Sequence, residues 1–139
     1  MNCQCYEDSF RPEPYVANID YMSAKNSYFR TEIWTGSFVQ MTLMCIPPRS
    51  DIGMEIHTDT DQILRIEEGT AVVRMGKCKE KMEQCQRVMR GSVIFVPAGT
   101  WHNVTNMGRN MLKISSIYAP PHHPRGTVHR TKTEAEQDE

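Results

Sequence analysis

Short runs of β-prone residues, separated by glycine and proline, place the strongest limit on how this chain can fold. The run Leu64-Arg65-Ile66-Glu67 alternates apolar and charged side chains with the period of two that is typical of a half-buried strand. Similar runs recur about every ten residues, a spacing typical of β-sandwiches and barrels. We find no helical periodicity before residues 131–139, where we expect one or two helical turns. The pattern therefore predicts an all-β fold.

One domain accounts for the whole chain, because its 139 residues match the usual length of roughly 150 residues for a single core. Pro12, Pro14 and scattered charges predict an N-terminal arm over residues 1–27. The barrel is expected over 28–120, with 76–90 as a loop inside it, and an irregular C-terminal tail over 121–139.

The charge and cysteine content narrow the function and the location. A formal net charge of −1 argues against a nucleic-acid or membrane binder, since both usually present a basic face. No apolar run approaches ~18 residues, and the first residues do not resemble a signal peptide. The five cysteines are an odd number, which favours reduced thiols. We therefore expect a cytoplasmic protein that binds a small molecule.

Two cysteine pairs leave alternatives open. Cys3 and Cys5 could hold a soft metal or be free thiols near a terminus. Cys78 and Cys85 flank a charged stretch and could pair under oxidation, although a soluble loop explains that stretch equally well.

Three polar residues form the first part of a candidate site. Glu55 and His57 are two residues apart, so on a strand they point to the same face. Gln62 follows across a turn and begins the row that continues with Leu64 and Ile66, which we expect to face inward. Burying an amide without a partner costs roughly 1–3 kcal/mol, and a metal ion would provide that partner.

A second segment brings another histidine towards the same interior. Residues 91–96 predict a strand, and Pro97 and Gly99 predict a tight turn after it. A new strand then begins at His102, which is held at a defined position by the turn.

Together these segments resemble the two motifs of the cupin superfamily. The second motif, G-x5-P-x-G-x2-H-x3-N, is present at every fixed position. The first, G-x5-H-x-H-x3-4-E-x6-G, fits with substitutions, because Glu55 takes the place of a histidine, Gln62 that of the glutamate and Arg49 that of the first glycine. The fixed positions of the second motif are Gly91, Pro97, Gly99, His102 and Asn106.

The resemblance implies a jelly-roll barrel, also called a double-stranded β-helix, with a divalent metal bound inside. The implied ligands are Glu55, His57, Gln62 and His102. Ligand type does not distinguish Zn²⁺, Fe²⁺, Mn²⁺ and Ni²⁺. The alternative is a site without metal, in which Gln62 and Glu55 hydrogen-bond to each other and to water.

Residues 59–69 and 116–129 resemble those of small bacterial cupins described as similar to mannose-6-phosphate isomerases. This resemblance implies a metal-dependent enzyme acting on a sugar phosphate or a hydroxy-carbonyl compound. Two alternatives stay open: an Fe²⁺-dependent oxygenase, and a cupin that binds a metal or a sugar without catalysis.

Further residues are candidates for the substrate pocket and for association. We expect Gln40, Thr42, Trp101 and His129 to line the pocket. His129 also belongs to a basic cluster that could hold a phosphate, with Arg125, Arg130 and Lys132, whereas His122 and His123 are interpreted as surface residues. Cupins commonly pair through an edge strand, so the resemblance implies a homodimer formed through residues 28–39.

Overall fold

The computed structural model describes residues 12–138. These residues form mainly antiparallel strands, which confirms the predicted all-β fold. The elements in chain order are α1 (Ile19–Lys25), β1 (Arg30–Thr35), β2 (Gln40–Ile46), β3 (Asp61–Glu68), β4 (Thr70–Gly76), β5 (Gln84–Met89), β6 (Val93–Val96), β7 (Trp101–Asn106), β8 (Leu112–Ala119), β9 (Val128–His129) and α2 (Lys132–Gln137).

Two sheets pack face to face. The larger has the strand order β6-β3-β8-β2-β1-β9, and the smaller has the order β5-β4-β7. Their inner faces share one apolar cluster, in which Leu64 and Ile114 of the larger sheet and Val104 of the smaller are fully buried. Burying apolar area of this kind is the main favourable contribution to folding.

The inner face of the larger sheet is apolar at one end and polar at the other. Across the strands, Met44 pairs with Ile114 and Ile114 with Ile66, so this end of the barrel is filled with side chains. Further along, Gln40 pairs with Tyr118, which pairs with Gln62. All three of these residues are fully buried, so the polar end needs hydrogen-bonding partners.

Two elements differ from the sequence prediction. Helix α1 lies in the segment expected to be an arm, where we predicted no helix. Asn18 caps its first turn by accepting from Tyr21 N, and Lys113 donates to the carbonyl oxygens of Ala24 and Asn26 around its C-terminal end. Seven residues make too few turns to show a clear helical period.

The predicted loop 76–90 contains a full strand, β5, which pairs with β4. This strand lies at the edge of the smaller sheet, and Val88 is its one buried residue. The alternation that identifies a half-buried strand is therefore absent from its sequence.

The C-terminal tail folds back onto the barrel. Strand β9 pairs with β1, so β1 lies between β2 and β9 and is not the edge strand that we predicted. Helix α2 matches the predicted helical turns. Thr131 caps it by accepting from Glu134 N, and Lys132 donates to Asp51.

Neither helix within residues 12–138 has the length and the apolar character that crossing a bilayer requires.

Candidate metal centre

The segment carrying Glu55 and His57 lies along strand β7. The backbones of Glu55 and His102 exchange two hydrogen bonds, each of 3.0 Å, and Gly99 N donates to His57 O at 2.7 Å. Gly99 has a φ of +81°, a backbone conformation that glycine adopts without strain. The tight turn expected from Pro97 and Gly99 thus holds both segments together, although Glu55 forms an isolated bridge rather than part of a regular strand.

His102 is completely buried, and its ring is oriented by its backbone neighbour. Nδ1 lies 3.0 Å from the carbonyl oxygen of Thr100. Because a carbonyl oxygen only accepts, Nδ1 carries the hydrogen, and Nε2 of a neutral ring presents a lone pair to the interior. Metal-binding histidines are commonly oriented by such a bond from the second ring nitrogen.

Potential ligand atoms converge on this lone pair. Glu55 Oε1 lies 3.6 Å from His102 Nε2 and 3.7 Å from His57 Nε2, and the ligand atoms of the three residues all lie within 4.8 Å of one another. His57 Nε2 is buried and has no hydrogen-bond partner among residues 12–138. A metal with bonds of about 2.1 Å keeps its ligand atoms roughly 3–4 Å apart, so Glu55, His57 and His102 could hold a metal ion.

Gln62 lies beside these three residues, as predicted. Its Oε1 is 3.1 Å from His102 Nε2, and its Nε2 donates to Ser116 Oγ at 2.9 Å. The Ser116 contact orients the amide so that its oxygen faces the histidine. Two acceptor atoms therefore face each other across 3.1 Å, and a bound cation would satisfy both of them.

The carboxyl group of Glu55 is ionised. Its burial would raise its pKa, but the adjacent imidazole groups of His102 and His57 outweigh burial and hold the pKa well below its usual range. A carboxylate beside two imidazoles is a donor set that suits the divalent ions expected from the sequence.

Three aromatic side chains that sequence analysis did not place in the site surround His57. The ring centroid of His122 lies 4.1 Å from that of His57, and that of Tyr118 lies 5.9 Å away. His123 packs edge-on against Tyr118 at 5.1 Å. Tyr118 is recognisable only through its pairing with Gln62, and the two histidines only once the tail is seen to fold over the barrel.

Burial shifts the pKa of each of these groups towards its neutral form. Burial and the nearby charge of Glu55 raise the pKa of Tyr118. Burial, and then the charge of His57, lowers the pKa of His122. Burial, and then the charge of Arg30, lowers the pKa of His123 to about 3. The wall around His57 is therefore polar and uncharged near neutral pH.

Gln40, which we expected in the substrate pocket, connects the tail to the barrel. Its Nε2 donates to Thr35 Oγ1 at 2.9 Å and to His123 O at 2.8 Å. Its Oε1 accepts from the backbone N–H groups of His122 and His123 at 3.2 and 3.0 Å. The amide therefore has no free hydrogen-bonding capacity for a ligand.

The other three predicted pocket residues lie in different surroundings. Trp101 is next to His102 on β7 and faces the opposite side of the sheet, where Lys79 Nζ is 5.6 Å from its ring centroid. His129 is buried on β9 and contacts Arg30 and Asp138. Thr42 lies on the inner face, and no described residue forms a hydrogen bond with its buried hydroxyl.

The residues expected to form a basic cluster do not form one in the structure. His129 turns inward, and Lys132 forms an ion pair with Asp51. Neither residue presents a free charge at the surface together with Arg130, whose guanidinium lies 6.0 Å from the ring of Tyr28.

A cavity of about 390 Å³ adjoins the metal centre, and this volume suits a small organic ligand. Its walls come from β1, the segment before His57 and helix α2, and they include Arg30, Glu55, Asn103 and Lys132. Of the four potential metal ligands, Glu55 is the one that lines this cavity.

The cysteines remain separate from this centre. Cys45 is buried, and Cys78 and Cys85 are exposed and free. Cys3 and Cys5 lie outside the described residues.

Comparison with protein families identifies the fold. The family model described as "Cupin domain" matches residues 42–119. The chain belongs to the cupin family. The match covers the segments that carry Glu55, His57, Gln62 and His102, and it confirms the cupin-type barrel that the two motifs predict.

Two bacterial proteins resemble this cupin over nearly its whole length. YrkC of Bacillus subtilis (strain 168) is 50% identical over an alignment of 136 positions, which covers 94% of this chain and 73% of YrkC. The crystal structure of BH2720 from Bacillus halodurans has 48% sequence identity and a TM-score of 0.90, covering 91% of this chain and 96% of that one.

A third protein agrees in fold alone. It is a conserved protein with a double-stranded β-helix domain from Klebsiella pneumoniae, with 14% identity and a TM-score of 0.65, covering 86% of this cupin and all of that chain.

Proposed function

We propose that this cupin is a metal-dependent enzyme that acts on a small hydroxy-carbonyl compound or sugar phosphate, with isomerisation of the mannose 6-phosphate type as the first reaction to test. The observation that carries the proposal is the buried convergence of Glu55, His57 and His102 beside a cavity. The donor set and the unpartnered Nε2 of His57 fit a divalent ion.

Three of the four proposed ligands are held by a second contact, which favours a defined site over a chance cluster. Thr100 orients His102, Ser116 orients Gln62, and Gly99 fixes the backbone at His57. Because these contacts hold the donors before a ligand arrives, little ordering free energy is lost on binding.

A divalent metal bound by these residues would polarise the adjacent oxygens of a hydroxy-carbonyl substrate. The chain's own groups would surround that substrate. Tyr118 keeps its phenolic hydrogen because of its raised pKa, and the ring of His122 covers His57. Together with Gln62, these groups would limit the access of water to the reacting atoms.

Metal content tests the centre directly. We expect the purified full chain to contain about one divalent ion, measured by mass spectrometry of the metals. His102→Ala should lose most of it, and Gln62→Ala should bind it more weakly. Gln86→Ala, on the exposed strand β5, is the matched control and should keep the wild-type content. Equal metal content in all four proteins would refute the assignment of these ligands.

Reaction assays then separate the classes of function. Conversion of mannose 6-phosphate to its ketose, followed by NMR without oxygen uptake, would support the isomerase. Oxygen consumption by protein loaded anaerobically with Fe²⁺ would instead identify an oxygenase. Metal retention with neither activity, over a panel of sugar phosphates and hydroxy acids, would favour a non-catalytic binding cupin.

The homodimer and the cytoplasmic location stay predictions. Light scattering coupled to size-exclusion chromatography tests the first, since a dimer would have twice the mass of 16.0 kDa.

A further inference from the structure

Arg30 lies where a barrel normally has an apolar side chain. In the sheet register it is opposite Met44 on one side and His129 on the other, so it belongs to the inner row that continues with Ile114. Only 5% of its surface is exposed. Arginine is almost never buried to this extent unless it has a partner of opposite charge.

No carboxylate of the described residues forms an ion pair with Arg30. The guanidinium Nη1 contacts His129 Nδ1 at 3.1 Å, while its Nε is buried and has no hydrogen-bond partner in the part of the chain that the structure describes. Asp138 contacts the other nitrogen of His129 at 2.8 Å, and its side chain is 66% exposed. It therefore reaches Arg30 only through the His129 ring. Leaving a buried charge without a direct partner is costly.

The cavity beside the metal centre brings Arg30 and Glu55 to the same space. Arg30, Glu55, Asp51 and Lys132 all line it. Lys132 is neutralised by its ion pair with Asp51, and a bound metal ion would neutralise Glu55. Glu136, the fifth charged residue of the lining, is exposed on α2 and forms no ion pair with Arg30. Arg30 therefore has no direct counter-charge among the residues that line the cavity.

A second unpartnered polar group lies next to Arg30. Thr42 is two residues from Met44, the residue opposite Arg30, so the two side chains are diagonal neighbours on the inner face. The Thr42 hydroxyl is buried and has no hydrogen-bond partner among the described residues. Glu32, the residue directly opposite Thr42, already accepts hydrogen bonds from Thr35 Oγ1 and Gly126 N. A cation and a hydroxyl, both with unused hydrogen-bonding capacity, form a suitable pair for an oxyanion.

We propose that Arg30 and Thr42 form an anion-binding subsite, which holds the carboxylate or phosphate group of a ligand whose other end lies at Glu55, His57 and His102. This inference rests on the proposed function for the position of the reacting end. It adds that the substrate carries a negative charge, and it assigns the residues that recognise that charge.

Anion binding to the full chain tests the subsite, with inorganic phosphate and malonate as probes. Calorimetric titrations are made on metal-free protein, so that binding through the metal cannot contribute, and repeated on Zn²⁺-loaded protein. We expect Arg30→Met to weaken binding at least tenfold and Thr42→Val severalfold. Arg87→Met, an exposed arginine on β5, is the matched control and should bind like the wild type.

The two probes distinguish the two sources of the oxyanion. Binding of phosphate alone identifies a phosphorylated ligand, and binding of malonate alone identifies a carboxylic acid. If Arg30→Met does not fold, Arg30→Lys and Thr42→Val provide the comparison, because the lysine keeps the charge without the planar hydrogen-bonding geometry of arginine.

Failure of the subsite can be separated from failure of the metal centre, since metal content is measured on the same preparations. Loss of metal with anion binding intact would refute the proposed ligands alone. Wild-type protein that binds neither anion, or variants of Arg30 and Thr42 that bind both as tightly as the wild type, would overturn the subsite.

Discussion

Replacing Gln40 by leucine tests whether this residue connects the C-terminal tail to the barrel. The change keeps a side chain of similar size and removes four hydrogen bonds, namely those to Thr35 Oγ1, His123 O, His122 N and His123 N. The alternative is a pocket residue, whose replacement would affect a ligand and leave the fold unchanged.

The expected loss of stability follows from the surroundings of these bonds. Neutral hydrogen bonds contribute about 1 kcal/mol each, and more when a freed partner stays buried. His122 is exposed and His123 half-buried, so their freed backbone groups can reach water. We therefore expect the free energy of unfolding to fall by about 2–4 kcal/mol, which corresponds to a decrease in Tm of about 7–14 °C for a chain of this length.

Thermal and urea denaturation of the wild type, Gln40→Leu and the exposed control Gln86→Leu measure this effect. Limited trypsin digestion adds a local readout, because release of the tail should speed cleavage after Arg125. A change below about 0.5 kcal/mol, the range of ordinary surface substitutions, together with unchanged cleavage, would refute the reasoning.

Three further predictions concern the barrel and its closing helix. Burial would raise the pKa of Asp51, but the hydrogen bond and the charge of Lys132 leave this pKa lowered. Asp51→Asn should therefore lower the free energy of unfolding by less than about 1 kcal/mol at pH 7. The difference should disappear as the pH falls below about 4, as urea denaturation across pH would show. Ile114→Ala should cost about 2–5 kcal/mol in the same assay, because Ile114 is fully buried, and a smaller loss would contradict its place in the core. Gly69→Ala should lower Tm more than Gly91→Ala. Both glycines have a positive φ, but a Cβ at Gly69 would lie 3.3 Å from Leu112 Cα, while nothing lies within 4 Å of a Cβ at Gly91. Equal decreases in Tm would show that backbone strain alone matters.

The predictions that held depend on short-range geometry. The period of two placed Leu64 and Ile66 on the inner face, and both are fully buried. The spacing of Glu55 and His57 predicted side chains that point the same way, and the turn through Gly99 predicted the position of His102. Such features depend on a few consecutive residues, so sequence patterns report them well.

The predictions that failed required knowledge of distant partners. Helix α1 depends on its packing against the larger sheet and on Lys113, far along the chain. Strand β5 is visible only through its pairing with β4. Trp101 was a candidate for the pocket, but strand alternation directs it away from His102.

The sequence by itself determined that this chain is a cupin and which residues supply the candidate metal ligands, because both properties are carried by residue spacing within two short segments. Only the tertiary structure decided which polar residues surround that centre. Gln40 bonds to the tail, while Arg30, Tyr118 and His122 come together from β1, β8 and the segment after β8. Their burial and charge depend on which strands become neighbours, and that information is distributed over the whole fold.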